Sequence, residues 1–126
     1  MPLTNEKFLS LYDKLNGEQK EAVDAIEGPV MVVAGPGTGK TQILTLRIAN
    51  ILLKGDAAPR NILALTFSES GANSMRHRLA SIIGAPAYSV VINTFHAFCN
   101  DIIKNYPEDF PHIIGANNIT EVEQIQ

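Results

Sequence analysis

Residues 34 to 41 read A-G-P-G-T-G-K-T, directly after the apolar run Pro29-Val30-Met31-Val32-Val33. A loop of small residues lets successive backbone N–H groups turn inward around a concentrated negative charge. A helix starting at Lys40 adds the free N–H groups and partial positive charge of its N-terminus to the same place. A lysine at the end of such a loop reaches the β- and γ-phosphates of a nucleoside triphosphate, and the hydroxyl of the next threonine binds Mg²⁺. The expected phosphate cradle is Ala34, Gly35, Pro36, Gly37, Thr38, Gly39, Lys40 and Thr41, with Lys40 and Thr41 nearest the chemistry. The strict pattern has glycine at its first position. Ala34 fits there if its backbone needs no positive φ. A chance Gly/Pro turn would explain neither the apolar run before the loop nor the apolar-faced segment after it.

The elements that must position this loop are legible in the patterning. Asn16 is a good N-cap, and Gln19 three residues on completes a capping box, opening a helix to about Glu27. Residues 30–34 read as a first buried strand. The helix from Lys40 to Leu53 has a wide apolar surface made by Ile43, Leu44, Leu46, Ile48, Ile51 and Leu52. Asn61 to Phe67 reads as a second strand, and a helix follows from Glu69 to Ile83 with Ala72, Met75, Leu79 and Ile82 at helical spacing. Tyr88 to Asn93 reads as a third strand, and Phe95 to Asn105 as a further crossover helix. Continuous apolar strands separated by helices imply an α/β fold with a parallel sheet. Ligands of such sheets bind at the carboxyl ends of the strands. The phosphate loop, Thr66-Phe67 and Thr94-Phe95-His96 all fall there.

The chain has 126 residues, 45% of them hydrophobic, which suits one domain with a real core. A single cysteine, Cys99, rules out a disulfide framework; it reads as a small buried residue on a helix. His77 and His112 read as surface residues. The start of the chain lacks the basic and apolar regions of a signal peptide, and no stretch is long enough to span a membrane, so a cytoplasmic protein is expected. The formal net charge of −3 counts mildly against a dedicated nucleic-acid module, though not against a local groove of backbone amides and stacking aromatics.

One part of the expected chemistry is missing. A phosphate-loop hydrolase needs an acidic residue at a strand end to hold Mg²⁺ and a group to orient the attacking water. Asp13, Asp24, Asp56, Asp101 and Asp109 all fall in helical or loop contexts, and none ends an apolar strand. The segment is therefore expected to bind nucleotide with little or no turnover. Near the end, Thr120 to Glu123 looks like another capping box, cut short within two turns, as if the sequence belonged to a longer protein.

Four separated stretches together carry a resemblance. They are Leu15-Asn16-Gly17-Glu18-Gln19, the phosphate loop, Ile62-Leu63-Ala64-Leu65-Thr66-Phe67-Ser68, and Asn93-Thr94-Phe95-His96-Ala97-Phe98. In this order they resemble the N-terminal part of the UvrD/Rep/PcrA-type superfamily 1 DNA helicases, over roughly residues 12 to 105. The resemblance implies an incomplete RecA-like phosphate-loop domain, with helices on both faces of a parallel sheet and ATP and Mg²⁺ as cofactors. It implies that Gln19 reads the adenine edge, as an amide can by donating and accepting at once. It makes Thr66, Phe67, Thr94, Phe95 and His96 the contacts to DNA, with Phe67 able to stack on a base. The parent protein would translocate on single-stranded DNA and unwind duplex DNA, in repair or a related process. Residues 1–106 would be the first half of the first motor domain, and 107–126 the start of the next region.

There are departures from the family's pattern. Many members carry arginine after the phosphate-loop threonine, where it contributes to the nucleotide site; here it is Gln42. Arg47 lies more than a turn further on and is no obvious replacement. The glycine often found before Thr-Phe-His is Asn93, and Glu69 puts negative charge near the expected DNA path. The family's sheet sets its acidic strand beside the phosphate-loop strand, so this segment alone would expose apolar surface and is expected to self-associate or show low stability. Two other readings use the same loop, a small phosphate-loop kinase and a nucleotide-dependent binding module without turnover.

Overall fold

In the computed structural model the described residues are 6–35, 39–55 and 57–111. They fall into two units divided between Thr94 and Phe95. The first holds helices α1 (Glu6–Tyr12), α2 (Gly17–Asp24), α3 (Lys40–Leu53) and α4 (Glu69–Ile83), with strands β1 (Leu63–Thr66) and β2 (Val91–Thr94). The second opens with α5 (Phe95–Asn105) and a 3-10 turn, Pro107–Asp109. The expected helix start at Thr120 and the surface reading of His112 lie outside the described residues.

β1 and β2 run parallel, with Leu63 opposite Val91 and Thr66 opposite Thr94. A parallel pair needs a long crossover, and α4 supplies it, packing against both strands and against α3. The described residues thus form an α/β fold with a two-stranded parallel sheet. The core is where the helical spacing put it. Leu46, Ala49 and Leu52 of α3 and Ala72, Met75, Leu79 and Ile82 of α4 are buried, together with Val23 of α2 and Ile92 of β2.

α2 keeps its capping box in full. Asn16 Oδ1 accepts from the Gln19 N–H, and Gln19 Oε1 accepts from the Asn16 N–H, both at 2.9 Å. The helix ends at Asp24, three residues short of the expected Glu27. Its last carbonyls are taken by α3 instead of by further turns. Arg47 donates from Nε and Nη2 to the Ala25 carbonyl at 3.1 and 2.9 Å, and Asn50 Nδ2 donates to the Val23 carbonyl at 3.1 Å. A guanidinium at a helix C-terminus is also favoured by the helix dipole, and α2 has no basic residue of its own there. Thr45 is fully buried, and its hydroxyl is satisfied by donating to the Thr41 carbonyl at 2.6 Å.

Three expectations are corrected. Residues 30–34 do not form a strand. Val30, Val32 and Ala34 line a cavity against α3, and Met31 is 84% exposed. A strand is defined by a hydrogen-bonded neighbour, and no described segment pairs with this run. The strand expected from Tyr88 starts three residues later, at Val91, because Gly84 adopts a φ of 75° and Ala85–Ser89 winds into a 3-10 turn first. Cys99 is exposed on α5, not buried. α1 has no counterpart in the sequence reading; it docks on α3 and α4 through Phe8, which stacks on Tyr12 at 5.6 Å between ring centroids. The Tyr12 hydroxyl donates to Asp24 at 2.7 Å, a bond that raises the phenol pKa above its ordinary value.

Candidate nucleotide and nucleic-acid site

The site begins where α3 begins. Gly39, its N-cap, has φ 76° and ψ 34°, a left-handed conformation that a side chain would strain. Gly39 has no side chain to cap this N-terminus, and among the described residues no side chain bonds to its first-turn N–H groups. Lys40 is the first helical residue and is exposed; Thr41 and Gln42 follow, half-buried. Among the described residues no non-glycine has positive φ, so Ala34 meets the condition set for it at the first loop position. Pro36, Gly37 and Thr38 lie outside the described residues. We expect Gly39→Ala to lower the stability of the chain by about 1–2 kcal/mol through backbone strain alone; a urea midpoint unchanged from wild type would contradict the left-handed turn.

A cavity of about 200 Å³ opens beside this turn, lined by Asn16, Gln19, Ala22, Val33, Ala34 and Gly35 among others. It brings the capping-box glutamine and the start of the phosphate loop to one place. The Gln19 acceptor oxygen faces the Asn16 N–H, so the capping box fixes the orientation of its amide. A second cavity of about 200 Å³ lies between Val30, Val32 and Ala34 on one side and Lys40, Ile43, Leu44 and Arg47 on the other. Arg47 reaches back to Ala25 from there, so its charge serves the α2 terminus.

The carboxyl ends of the two strands meet side by side, since Thr66 and Thr94 are register partners. The Thr66 hydroxyl donates to the Ser68 carbonyl at 2.9 Å, and Ser68 Oγ accepts from the Gly71 N–H at 3.0 Å as the N-cap of α4. These two bonds shape the turn that holds Phe67, whose side chain is 95% exposed and is no core residue. Thr94 is buried at 8% exposure. Phe95 and His96 are exposed on the first turn of α5, in the second unit.

Two contacts escaped the sequence reading. Arg76 donates from Nη2 to the Ile92 carbonyl at 2.7 Å and from Nη1 to Asn73, tying α4 to β2. Arg78 donates from Nη1 to Gln42 Oε1 at 3.2 Å, joining α4 to the first turn of α3. Side-chain pairing across 36 residues leaves no local signal. Among the described residues no helix is long and apolar enough to cross a membrane.

Known proteins resemble this chain in sequence. Residues 15–126 match the family model of the UvrD/REP helicase N-terminal domain. The chain is 42% identical over 95 residues to an ATP-dependent DNA helicase PcrA of Staphylococcus epidermidis, covering 75% of this chain and 13% of that protein. A PcrA of Staphylococcus aureus is 41% identical over the same shares. The chain thus spans about an eighth of the length of these curated relatives. With a family model matching nearly its whole length, the chain belongs to the UvrD/REP helicase N-terminal domain family.

Proposed function

We propose that this chain is the nucleotide-binding half of the first RecA-like motor domain of an ATP-dependent DNA helicase, spanning residues 1–106, with 107–126 leading into the next region. The observation that carries the reading is the left-handed Gly39 turn into an uncapped α3, with Lys40 at the helix start and Gln19 beside the loop. Backbone N–H groups and a lysine at one helix N-terminus suit the phosphates of ATP. Lys40 would bind the β- and γ-phosphates, and Thr41 would contribute its hydroxyl to Mg²⁺, which when bound neutralises phosphate charge. Gln19 and Gln42 would complete the nucleotide contacts around residues 34–41. Two relatives at about 42% identity are named as ATP-dependent DNA helicases, which supports ATP as the nucleotide and DNA as the track.

For DNA, Thr66, Phe67, Thr94, Phe95 and His96 are the proposed contacts. The exposure of Phe67 beyond the end of β1 supports a stacking role, since base stacking on such a ring contributes typically ~1–3 kcal/mol. Duplex unwinding and translocation would belong to the parent protein, as an ATP-driven motor acting in the cytoplasm. The segment alone would turn over ATP slowly or not at all, because no aspartate follows an apolar strand.

Apolar surface left open on the chain supports the expectation of self-association. A cavity of about 280 Å³ lies between α3 and β1, lined by Leu44, Ile48, Ile51, Leu63, Leu65 and Met75 among others. Leu44 and Leu63 are 48% and 45% exposed, and the unpaired run 30–33 adds to the apolar surface. We expect the isolated chain to self-associate; a monodisperse monomer by light scattering that melts cooperatively at high temperature would contradict this.

The experiment that tests the function is ATP turnover with and without single-stranded DNA, on this chain and on the longest native form of its polypeptide. A DNA-stimulated long form and a silent short chain support the motor reading. A long form indifferent to DNA removes the assignments at Thr66-Phe67 and Thr94-Phe95-His96 and favours a kinase or a nucleotide-gated binding module.

A further inference from the structure

We infer that Arg76 is a positioning residue for DNA, which locks the ends of β1 and β2 into one surface by way of α4. It serves the DNA contacts proposed above, on which this inference rests, and touches no DNA itself. In a parallel pair, the backbone groups of successive residues face alternate edges of the strand. The Val91 N–H donates to the Ile62 carbonyl at 3.1 Å, so Val91 faces β1 and the Ile92 carbonyl faces the opposite edge of β2. Arg76 Nη2 donates to that carbonyl at 2.7 Å, at the edge β1 does not cover. Arg76 Nη1 donates to Asn73 Oδ1 at 2.8 Å, which orients the guanidinium from one turn back along the same helix.

α4 is thereby fastened to both strands. At its start the Thr66 hydroxyl donates to the Ser68 carbonyl, and Ser68 Oγ accepts from the Gly71 N–H. This cap is closely packed, since a Cβ on Gly71 would stand 3.2 Å from Ser68 Oγ. About two turns further on, Arg76 fastens the helix to β2, two residues before Thr94. Thr66 and Thr94 are register partners, so the helix that shapes the Phe67 turn also sets where Thr94 lies beside it. Arg76 is half-buried, and bonds from a charged donor are shorter and stronger than neutral ones. A planar fork bridging two acceptors is a hold that a lysine cannot reproduce.

The test uses the longest native form of the polypeptide and reads the oligothymidylate concentration that half-stimulates its ATP turnover. Arg76→Met keeps the aliphatic stem and removes the donors. It is expected to raise that concentration about three- to tenfold, the size usual for a residue acting through packed neighbours, and to leave ATP affinity unchanged. Arg76→Lys, a point donor, falls between wild type and Arg76→Met, and carries the test if Arg76→Met does not fold. The slope of log affinity against log salt stays at its wild-type value, because no phosphate contact is lost; a direct contact would lower it by about 0.7. In a Phe67→Ala background Arg76→Met costs little more, since both act on one surface. Unchanged half-stimulation in both Arg76 variants overturns the inference. So does a lowered salt slope, which makes Arg76 a phosphate contact, and so does an equal loss of ATP affinity, which makes it a general prop of the fold. Fully additive losses with Phe67→Ala overturn it as well. A wild-type protein whose turnover ignores DNA brings down the DNA reading itself, and Arg76 with it.

Discussion

Lys40→Ala is expected to weaken ATP binding by the chain about 10- to 100-fold, and to silence turnover in the longest native form. The magnitude follows from losing a hydrogen bond between charged groups, typically ~1.5–3 kcal/mol. Lys40 stands at the first position of α3 and is exposed. Its ammonium holds no described element in place, so the fold should tolerate alanine, an excellent helix former, with stability changed by less than about 0.5 kcal/mol. Calorimetric binding and a urea melt on the same preparation separate the two effects. Equal ATP affinity in wild type and variant would remove Lys40 from the phosphate site. A large drop in stability would mean that the lysine is structural.

Leu79→Ala has the largest expected effect on folding. Leu79 has no exposed surface, on the face of α4 that packs among Met75, Ile82 and the core residues of α3. Truncating a buried leucine removes transfer energy and leaves a cavity, at a cost of about 2–5 kcal/mol. Small domains have only ~5–15 kcal/mol in total, and this one has an unpaired apolar run besides. The variant should lose its cooperative urea transition or shift its midpoint far toward water. His77→Ala, two residues away on the exposed side of the same helix, should move it by less than ~0.5 kcal/mol. Similar midpoints for both variants would show that α4 does not carry the core.

The helices were legible because their signals are local. Asn16 and Gln19 are three residues apart, and the capping box they spell is the one formed. The bounds of α3 and α4 follow from Gly39, Ser68 and Gly84 at their ends and apolar residues at helical spacing between. The order of β1, α4 and β2 and their parallel pairing followed from the same patterning. What failed depends on distant partners. Val30 to Val33 has strand composition, but a strand takes its identity from a neighbour. Cys99 was read from the average habit of its residue type, and it lies on the exposed side of α5. At the site, the glycine turn at Gly39 and the start of α3 at Lys40 could be read from residue order. The Arg78 to Gln42 and Arg76 to Ile92 contacts could not, because they join residues far apart in sequence.

The paired grip of Arg47 and Asn50 on the carbonyls of Ala25 and Val23 bears on how the stretch between α2 and α3 can vary. Two side chains of α3, three residues apart, bond to backbone groups two residues apart at the end of α2. Those bonds set the register of the helices, and with it the spacing of Gln19 from Lys40. Of the stretch between them, Ile26 to Pro29 need only span the gap, whereas Val30, Val32 and Ala34 line a cavity against α3. Residues added around the exposed Glu27-Gly28 pair would lengthen this connection, at a closure cost that grows only logarithmically with loop length, and leave Gln19 and Lys40 where they are.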